Sequence, residues 1–108
     1  MPKVYLSPQA KDDLAEIKEY IAKDLANPQA SVKVLERIVK RIHGLSDFPL
    51  MGAPLSAVIN METKYRYLVC GNYTAFYHYE NDEVYVNRVL YGRRDFVRIL
   101  FGDVPDDE

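Results

Sequence analysis

Two pairs of turn residues, Gly71-Asn72 and Asn81-Asp82, cut the stretch from Lys64 to Tyr91 into three runs dense in Tyr, Val, Phe and Thr. Such residues fit a pleated surface, and two-residue turns that tolerate positive φ join neighbouring strands only antiparallel. The spacing therefore predicts a meander of strands over Lys64–Cys70, Tyr73–Glu80 and Glu83–Tyr91. A sheet this small needs a cover for its apolar face, and the N-terminal half supplies one.

Ser7-Pro8 and Asn27-Pro28 each pair an N-cap side chain with a proline at the first helical position, where its missing N–H costs nothing. After the first pair, Leu14, Ile17, Ile21 and Leu25 recur at helical spacing, which predicts an amphipathic helix ending near Ala26. After the second, Val32, Leu35, Val39 and Ile42, with Ile38 and Leu45 beside them, form another stripe. The short linker folds the two helices back into an antiparallel hairpin. Val4-Tyr5-Leu6 reads as an opening strand and Ser46–Ala57 as a loop, with Phe48, Leu50 and Met51 expected to plug onto the core. Asp95–Phe101 reads as a last helix between Gly92 and a C-cap at Gly102. The expected fold is α+β, in the order β-α-α-β-β-β-α, with an antiparallel twisted sheet packed against the helical hairpin. Its 108 residues suit one domain, drawn here over residues 1–102, with an acidic tail over residues 103–108.

Charge narrows the function classes. The net charge is −2, but the tail holds four of the 16 carboxylates, leaving 12 against 14 basic residues in the rest. A fold this weakly cationic is a poor match to a protein whose affinity rests on neutralising phosphates. The positive charge is local: from Arg88 to Arg98 four arginines face the single carboxylate Asp95. One cysteine, Cys70, sits mid-strand and is expected to be a small buried hydrophobe. His43 and His78 are far apart, so neither a metal centre nor a cofactor is expected. No run is long and apolar enough to span a membrane, and Met1-Pro2-Lys3 does not begin a signal peptide, so a cytoplasmic protein is expected.

The residues that could carry chemistry lie in the C-terminal half. Arg93 and Arg94 follow Gly92 at the strand-to-helix step, where planar bidentate donors could grip phosphate or a partner. Either could instead pair with Asp95 or Glu83. Arg66 shares a period-two face with Leu68 and Cys70, and Arg88 with Val86 and Leu90; a salt bridge is the expected role of each. His78, on the face of Thr74 and Phe76, is the side chain best suited to proton transfer, although a structural histidine fits the same pattern. His43, near the second helix's C-terminus, suits the helix dipole. Most strand tyrosines are expected to pack across the sheet, and Tyr91, beside Gly-Arg-Arg, is the one singled out for a functional test.

In order and spacing, LSPQAKDDLAEIKEYIA, VLERIVKRIHGLSDFPLMGAPL, YRYLVCGNYTAFYHYEND and VNRVLYGRRDF together resemble the RelE/ParE superfamily of toxins from type II toxin–antitoxin systems. The resemblance implies a small sheet on a helical hairpin, growth inhibition, and a hetero-oligomer with a cognate antitoxin that lays an extended or helical C-terminal segment on the chain. RelE-like members cut messenger RNA on the ribosome; ParE-like members inhibit DNA gyrase. RelE's tyrosine-lysine-x-lysine strand falls on Tyr65-Arg66-Tyr67-Leu68, keeping charge only at Arg66. Its next arginine falls on Thr74, its last-strand arginine on Arg94, and its C-terminal tyrosine near Leu100. Two of those five positions keep their chemistry, so the resemblance favours a ParE-like gyrase inhibitor with Tyr91, Arg93, Arg94 and Arg98 as target-binding residues. The alternative is a ribosome-dependent ribonuclease using Arg66, His78 and Arg94. Whether the chain is an enzyme turns on that choice.

Overall fold

A computed structural model describes residues 2–93 and 95–102; Arg94 and the acidic tail lie outside the described residues. Strand β1 (Lys3–Leu6) leads into helix α1 (Pro8–Glu19), which widens into a π-helical turn (Tyr20–Asp24) before helix α2 (Pro28–His43) and a 3₁₀ turn (Gly44–Ser46). Strand β2 (Ala53–Pro54) precedes the meander β3 (Arg66–Cys70), β4 (Tyr73–Glu80) and β5 (Glu83–Tyr91), and helix α3 (Phe96–Phe101) follows. Both caps form as the sequence predicts: Ser7 Oγ accepts from the Ala10 N–H at 3.0 Å, and Asn27 Oδ1 from the Ala30 N–H at 3.1 Å.

The sheet runs β1-β5-β4-β3-β2. The expected antiparallel meander is its centre. β1 joins it parallel, from Lys3 opposite Glu83 to Leu6 opposite Val86, so the sheet is mixed. A parallel neighbour needs a crossover, and the helical hairpin provides it. The fifth strand, β2, lies inside the expected loop, because Ala53-Pro54 pairs with Tyr67 and Arg66 although it has no strand pattern of its own.

The hairpin covers one face of the sheet. Ala10, Leu14, Ile38 and Ile42 meet Leu68, Ala75, Tyr77, Val84, Val86 and Val89 in one buried cluster. The other face carries α3 through a stacked Phe76–Phe96 pair at 5.4 Å and an edge contact of Tyr65 with Phe101 at 5.5 Å. Not all of the predicted stripe is buried: Val32 is 47% exposed, and Ser31 packs inward in its place.

The loop after α2 departs from expectation. Phe48, Leu50 and Met51 do not plug the core; they are 67%, 61% and 38% exposed, while Leu45 and Leu55 are fully buried. Polar contacts fix the loop. The Tyr77 hydroxyl donates to the Pro49 carbonyl at 2.8 Å and accepts from the Gly52 N–H at 2.9 Å. A Cβ on Gly52 would sit 2.6 Å from the Tyr67 carbonyl oxygen and 2.7 Å from the Tyr77 ring, so this approach requires glycine.

β5 contains a bulge. Phe76 opposes Arg88 and Tyr77 opposes Val86, leaving Asn87 as the extra residue. Val86 and Val89 therefore both reach the hairpin core, and the expected Val86-Arg88-Leu90 face does not exist. Past Leu6, where β1 stops, the start of α1 takes over the β5 edge: the Ser7 N–H donates to the Val86 carbonyl at 2.9 Å, and its hydroxyl to the Asn87 carbonyl at 2.7 Å.

Candidate functional site

At the end of the sheet Tyr91 lies edge-on to Tyr73 at 5.5 Å and is 60% exposed. Burial, with Tyr91 and Tyr20 nearby, pushes the Tyr73 phenol up. Gly92 then turns through a φ of 58° and ties its N–H to the Asn72 carbonyl at 2.8 Å. The chain re-emerges with the Arg93 guanidinium over the Tyr67 ring, 5.4 Å from its centroid. Neither carboxylate expected for Arg93 is its partner. Asp95, itself at a φ of 55°, pairs with Arg98 one helical turn on. Glu83 is held by two tyrosines. Of the expected binding set, Tyr91 stands beside Tyr73 on the hairpin side, whereas Arg93 lies over Tyr67 on the α3 side; Arg94 lies outside the described residues.

The nuclease set is divided as well. Among the described residues Arg66 does not form the expected salt bridge; its guanidinium donates to the Gly52 carbonyl at 3.0 Å and the Leu50 carbonyl at 3.3 Å, pinning the loop. It opposes Tyr77, a residue of the hairpin-side core. His78 is the next residue of β4 and points to the opposite face, stacked on Tyr85 at 5.0 Å with Tyr65 edge-on at 6.1 Å. Its Nδ1 meets Asn87 Oδ1 at 3.0 Å, and its Nε2 lies 3.7 Å from Glu80 Oε1. That carboxylate also meets Lys64 at 3.4 Å. The histidine thus sits among rings, an amide and a carboxylate, with the Arg66 guanidinium across the sheet.

Its surroundings are acidic and aromatic. Glu83 accepts from the Tyr85 hydroxyl at 2.6 Å and the Tyr5 hydroxyl at 2.9 Å, and those two hydrogen bonds hold its carboxyl below the usual range. The same bond pushes the Tyr85 phenol up to about 12. Tyr5 stacks on Tyr85 at 5.4 Å, completing a ladder of rings across β1, β5 and β4. Glu80 and Glu83 put two carboxylates beside this ladder, and like charge disfavours a phosphate backbone there.

Arg88 forms the expected salt bridge, with a partner that sequence reasoning missed. Its Nε and Nη2 donate to the two Asp13 oxygens at 2.8 and 2.9 Å, and the Val89 N–H donates to the same carboxylate at 2.9 Å. Asp13 is only 7% exposed and lies on the apolar stripe between Ala10 and Leu14, and a carboxylate on that face was the signal. Two further residues were missed. Asn87, set by the bulge, could not be placed from a period of two. Arg41 donates from Nε and Nη2 to the Val69 carbonyl at 3.2 and 3.1 Å, a contact between α2 and β3 with no local sequence signal. Cys70 is buried, 4% exposed, and burial pushes its thiol up, away from a reactive thiolate.

Comparison with known proteins fits this geometry. A family model described as the ParE toxin of type II toxin–antitoxin system, parDE, matches residues 4–96. Comparison with curated proteins returns no match. Among solved structures, the chain is similar to one from the chromosomal ParDE toxin–antitoxin system of P. aeruginosa, with a TM-score of 0.71 and 20% identity over 85% of this chain and 97% of that one. It is also similar to a chain of the RelBE2 toxin–antitoxin complex of Mycobacterium tuberculosis, with a TM-score of 0.59 and 21% identity over 84% of this chain and 99% of that one. At these identities the likeness speaks for the fold, and the family match speaks for descent. The chain belongs to the ParE toxin family of type II toxin–antitoxin systems.

Proposed function

We propose that this chain inhibits growth by binding, with DNA gyrase as its target, and that a cognate antitoxin holds it in check. The carrying observation is the separation of Arg66 from His78. Phosphodiester cleavage needs a cation and a proton-transfer group on one reacting centre. Here the guanidinium serves the Leu50–Gly52 loop on one face while His78 serves the ring ladder on the other. Glu80 and Glu83 beside the ladder further disfavour an RNA backbone there. For a binding toxin, exposed Tyr91 and the ring-seated Arg93 supply the residue types that dominate protein interfaces.

Partnership with an antitoxin draws support from the hairpin's outer face. Tyr20, Leu25 and Val32 are about half exposed, and an open groove of about 570 Å³ runs between the helices past Val32, Leu35 and Val39. Apolar surface of this kind marks a protein contact. No helix among the described residues is long and apolar enough to cross a membrane, in keeping with action in the cytoplasm.

The test is direct. Purified protein is added to a gyrase supercoiling reaction and, separately, to ribosomes programmed with messenger RNA. Inhibited supercoiling with intact message is the expected result. Cleaved message with unaffected supercoiling would replace this reading with a ribosome-dependent ribonuclease using Arg66, His78 and Arg94.

A further inference from the structure

The loop after α2 is anchored on both sides of Met51. The Leu50 and Gly52 carbonyls accept from Arg66, and the Gly52 N–H donates to the Tyr77 hydroxyl. The Met51 N–H donates in turn to the Phe48 carbonyl at 3.0 Å. A backbone held this way presents the Met51 side chain in one place, 38% exposed. Its methyl end lies against the 3₁₀ turn, since a Cβ on Gly44 would stand 3.4 Å from the Met51 Cε. Its sulfur faces α2, where the Arg41 Nη1 donates to it at 3.6 Å.

That contact does more than pack two side chains. A thioether is a weak acceptor, and here it is offered a guanidinium. Arg41 also gives Nε and Nη2 to the Val69 carbonyl, so one group joins α2, β3 and the loop, and the sulfur is its weakest link. Open space lies alongside: Met51 and Arg41 both line a groove of about 440 Å³ between α2 and β3. An atom added to the sulfur there has room and meets a cationic donor. Met61, the more exposed at 46%, has no such donor among the described residues.

We propose that Met51 is a site of reversible oxidation, where hydrogen peroxide turns the thioether into a sulfoxide that Arg41 then holds. A sulfur lone pair attacks one peroxide oxygen, the O–O bond breaks, and the second oxygen leaves as water with both protons. Sulfur gives up two electrons and the peroxide takes them. The new oxygen is a strong acceptor where the thioether was a weak one, so the Nη1 contact becomes a charge-assisted hydrogen bond. In an apolar core a methionine sulfoxide disrupts packing. Here its oxygen meets a guanidinium, so oxidation fastens the loop to α2 and makes one wall of the groove polar. A methionine sulfoxide reductase driven by a dithiol reverses the step: the oxygen leaves as water and the dithiol closes to a disulfide. Cys70 lines the same groove but is no rival, because it is 4% exposed and burial keeps it from the thiolate form. The site stands independently of the gyrase reading.

The test treats the intact chain with hydrogen peroxide and follows each methionine by peptide mass mapping. Met51 should gain one oxygen within about tenfold of the rate at Met61, while Cys70 gains none. Hydrogen exchange at the Met51 and Gly52 amides should then slow about tenfold, and return to its starting rate after methionine sulfoxide reductase with dithiothreitol. Peroxide should leave both amides unchanged in Met51→Leu, which has no sulfur there, and in Arg41→Gln, which has no guanidinium; a thermal melt before treatment reports whether each variant is folded. A second measurement needs no variant: the Arg41 side-chain N–H resonances should shift on oxidation and move back on reduction. The proposal is overturned if Met51 stays a thioether while Met61 is consumed, or if the reductase cannot remove the added oxygen. Faster or unchanged exchange at both amides, a slowing that persists in either folded variant, or unmoved Arg41 resonances would overturn it equally. Failure to inhibit gyrase would count against the functional reading and leave this result standing.

Discussion

Removing the Asp13 carboxylate by Asp13→Ala is expected to cost the fold about 3–5 kcal/mol, the range for breaking a buried ion pair from one side. The structure gives the terms. The carboxylate, 7% exposed, accepts from the Arg88 Nε and Nη2 and from the Val89 N–H, all within 2.9 Å. Truncation strands a guanidinium whose side chain is only 28% exposed, and uncovers a backbone donor on the β5 edge beyond β1. A domain of this size is stable by about 5–15 kcal/mol, so the variant should stay folded in buffer with its urea midpoint lowered by about 2 M at unchanged slope. Asp12→Ala, one residue away but exposed, should stay within about 0.5 kcal/mol of the parent. The decisive measurement is the cycle with Arg88→Met. If the two side chains act as a pair, the double variant costs little more than the worse single one, giving a coupling of about 2–3 kcal/mol. A coupling under about 0.5 kcal/mol, or an Asp13→Ala loss under about 1 kcal/mol, would refute the assignment of this pair as the clamp between α1 and β5.

Further expectations follow from the loop, the ring ladder and the strand-to-helix step. Gly52→Ala should destabilise by about 1–3 kcal/mol or more, since its Cβ meets a backbone oxygen at 2.6 Å and cannot be relieved by a side-chain turn. Tyr77→Phe should cost about 1–3 kcal/mol by leaving the Gly52 N–H and Pro49 carbonyl without their partner; urea curves within 0.5 kcal/mol of the parent for both would contradict the tether. Tyr85, pushed up to about 12, should ionise well above the ordinary phenol range in a titration followed at 295 nm, and Glu83→Gln should bring it back toward about 10. Because that phenol is raised, its stabilising contribution is complete below its ordinary value and fades as pH rises toward about 12. The lowered Glu83 contributes fully above the ordinary carboxylate range and fades as pH falls through its folded value. An unmoved Tyr85 in Glu83→Gln would break the link. Arg93→Ala should raise the concentration needed to half-inhibit gyrase about tenfold at unchanged melting temperature, and Tyr67→Leu should act in the same direction; full potency in both would remove the seated guanidinium from the target surface.

Much of the fold was readable because its signals are local. Ser7-Pro8 and Asn27-Pro28 announce both helix starts, and Gly71-Asn72 and Asn81-Asp82 place the meander, without reference to anything distant in sequence. Misreadings arose where long-range contacts override local pattern. Ala53-Pro54 is a strand only because Tyr77 and Arg66 hold the loop against β3. Phe48, Leu50 and Met51 are apolar enough to suggest a plug, yet the same tether turns them outward. The Asn87 bulge shifts the phase of β5, so Arg88 could not be assigned a face from its neighbours. Asp13 is the exception: its place on an apolar stripe was visible, and the local sequence could not say which residue across the sheet answers it.

The same distinction decides how the arginines bear on function. Counting residues put four of them between Arg88 and Arg98 and suggested one cationic surface. A guanidinium can grip a ligand only with donors that the fold has not already used. Arg88 is committed to Asp13, Arg66 to two loop carbonyls, Arg41 to the β3 edge, and Arg98 to Asp95. These commitments differ in strength. The Arg88 pair is sheltered and bidentate, so it belongs to the fold. The Arg98 pair is exposed, with side chains 63% and 48% accessible, and a partner's carboxylate could replace Asp95 at little cost. Arg93, seated over the Tyr67 ring, forms no ion pair among the described residues, so its donors face outward from a ring platform. An immobilised guanidinium with open donors suits recognition. His78 shares the α3 side with Arg93, but its expected partner Arg66 lies across the sheet and the nearby Lys64 is paired with Glu80, which makes recognition a better account of the surface than phosphodiester cleavage.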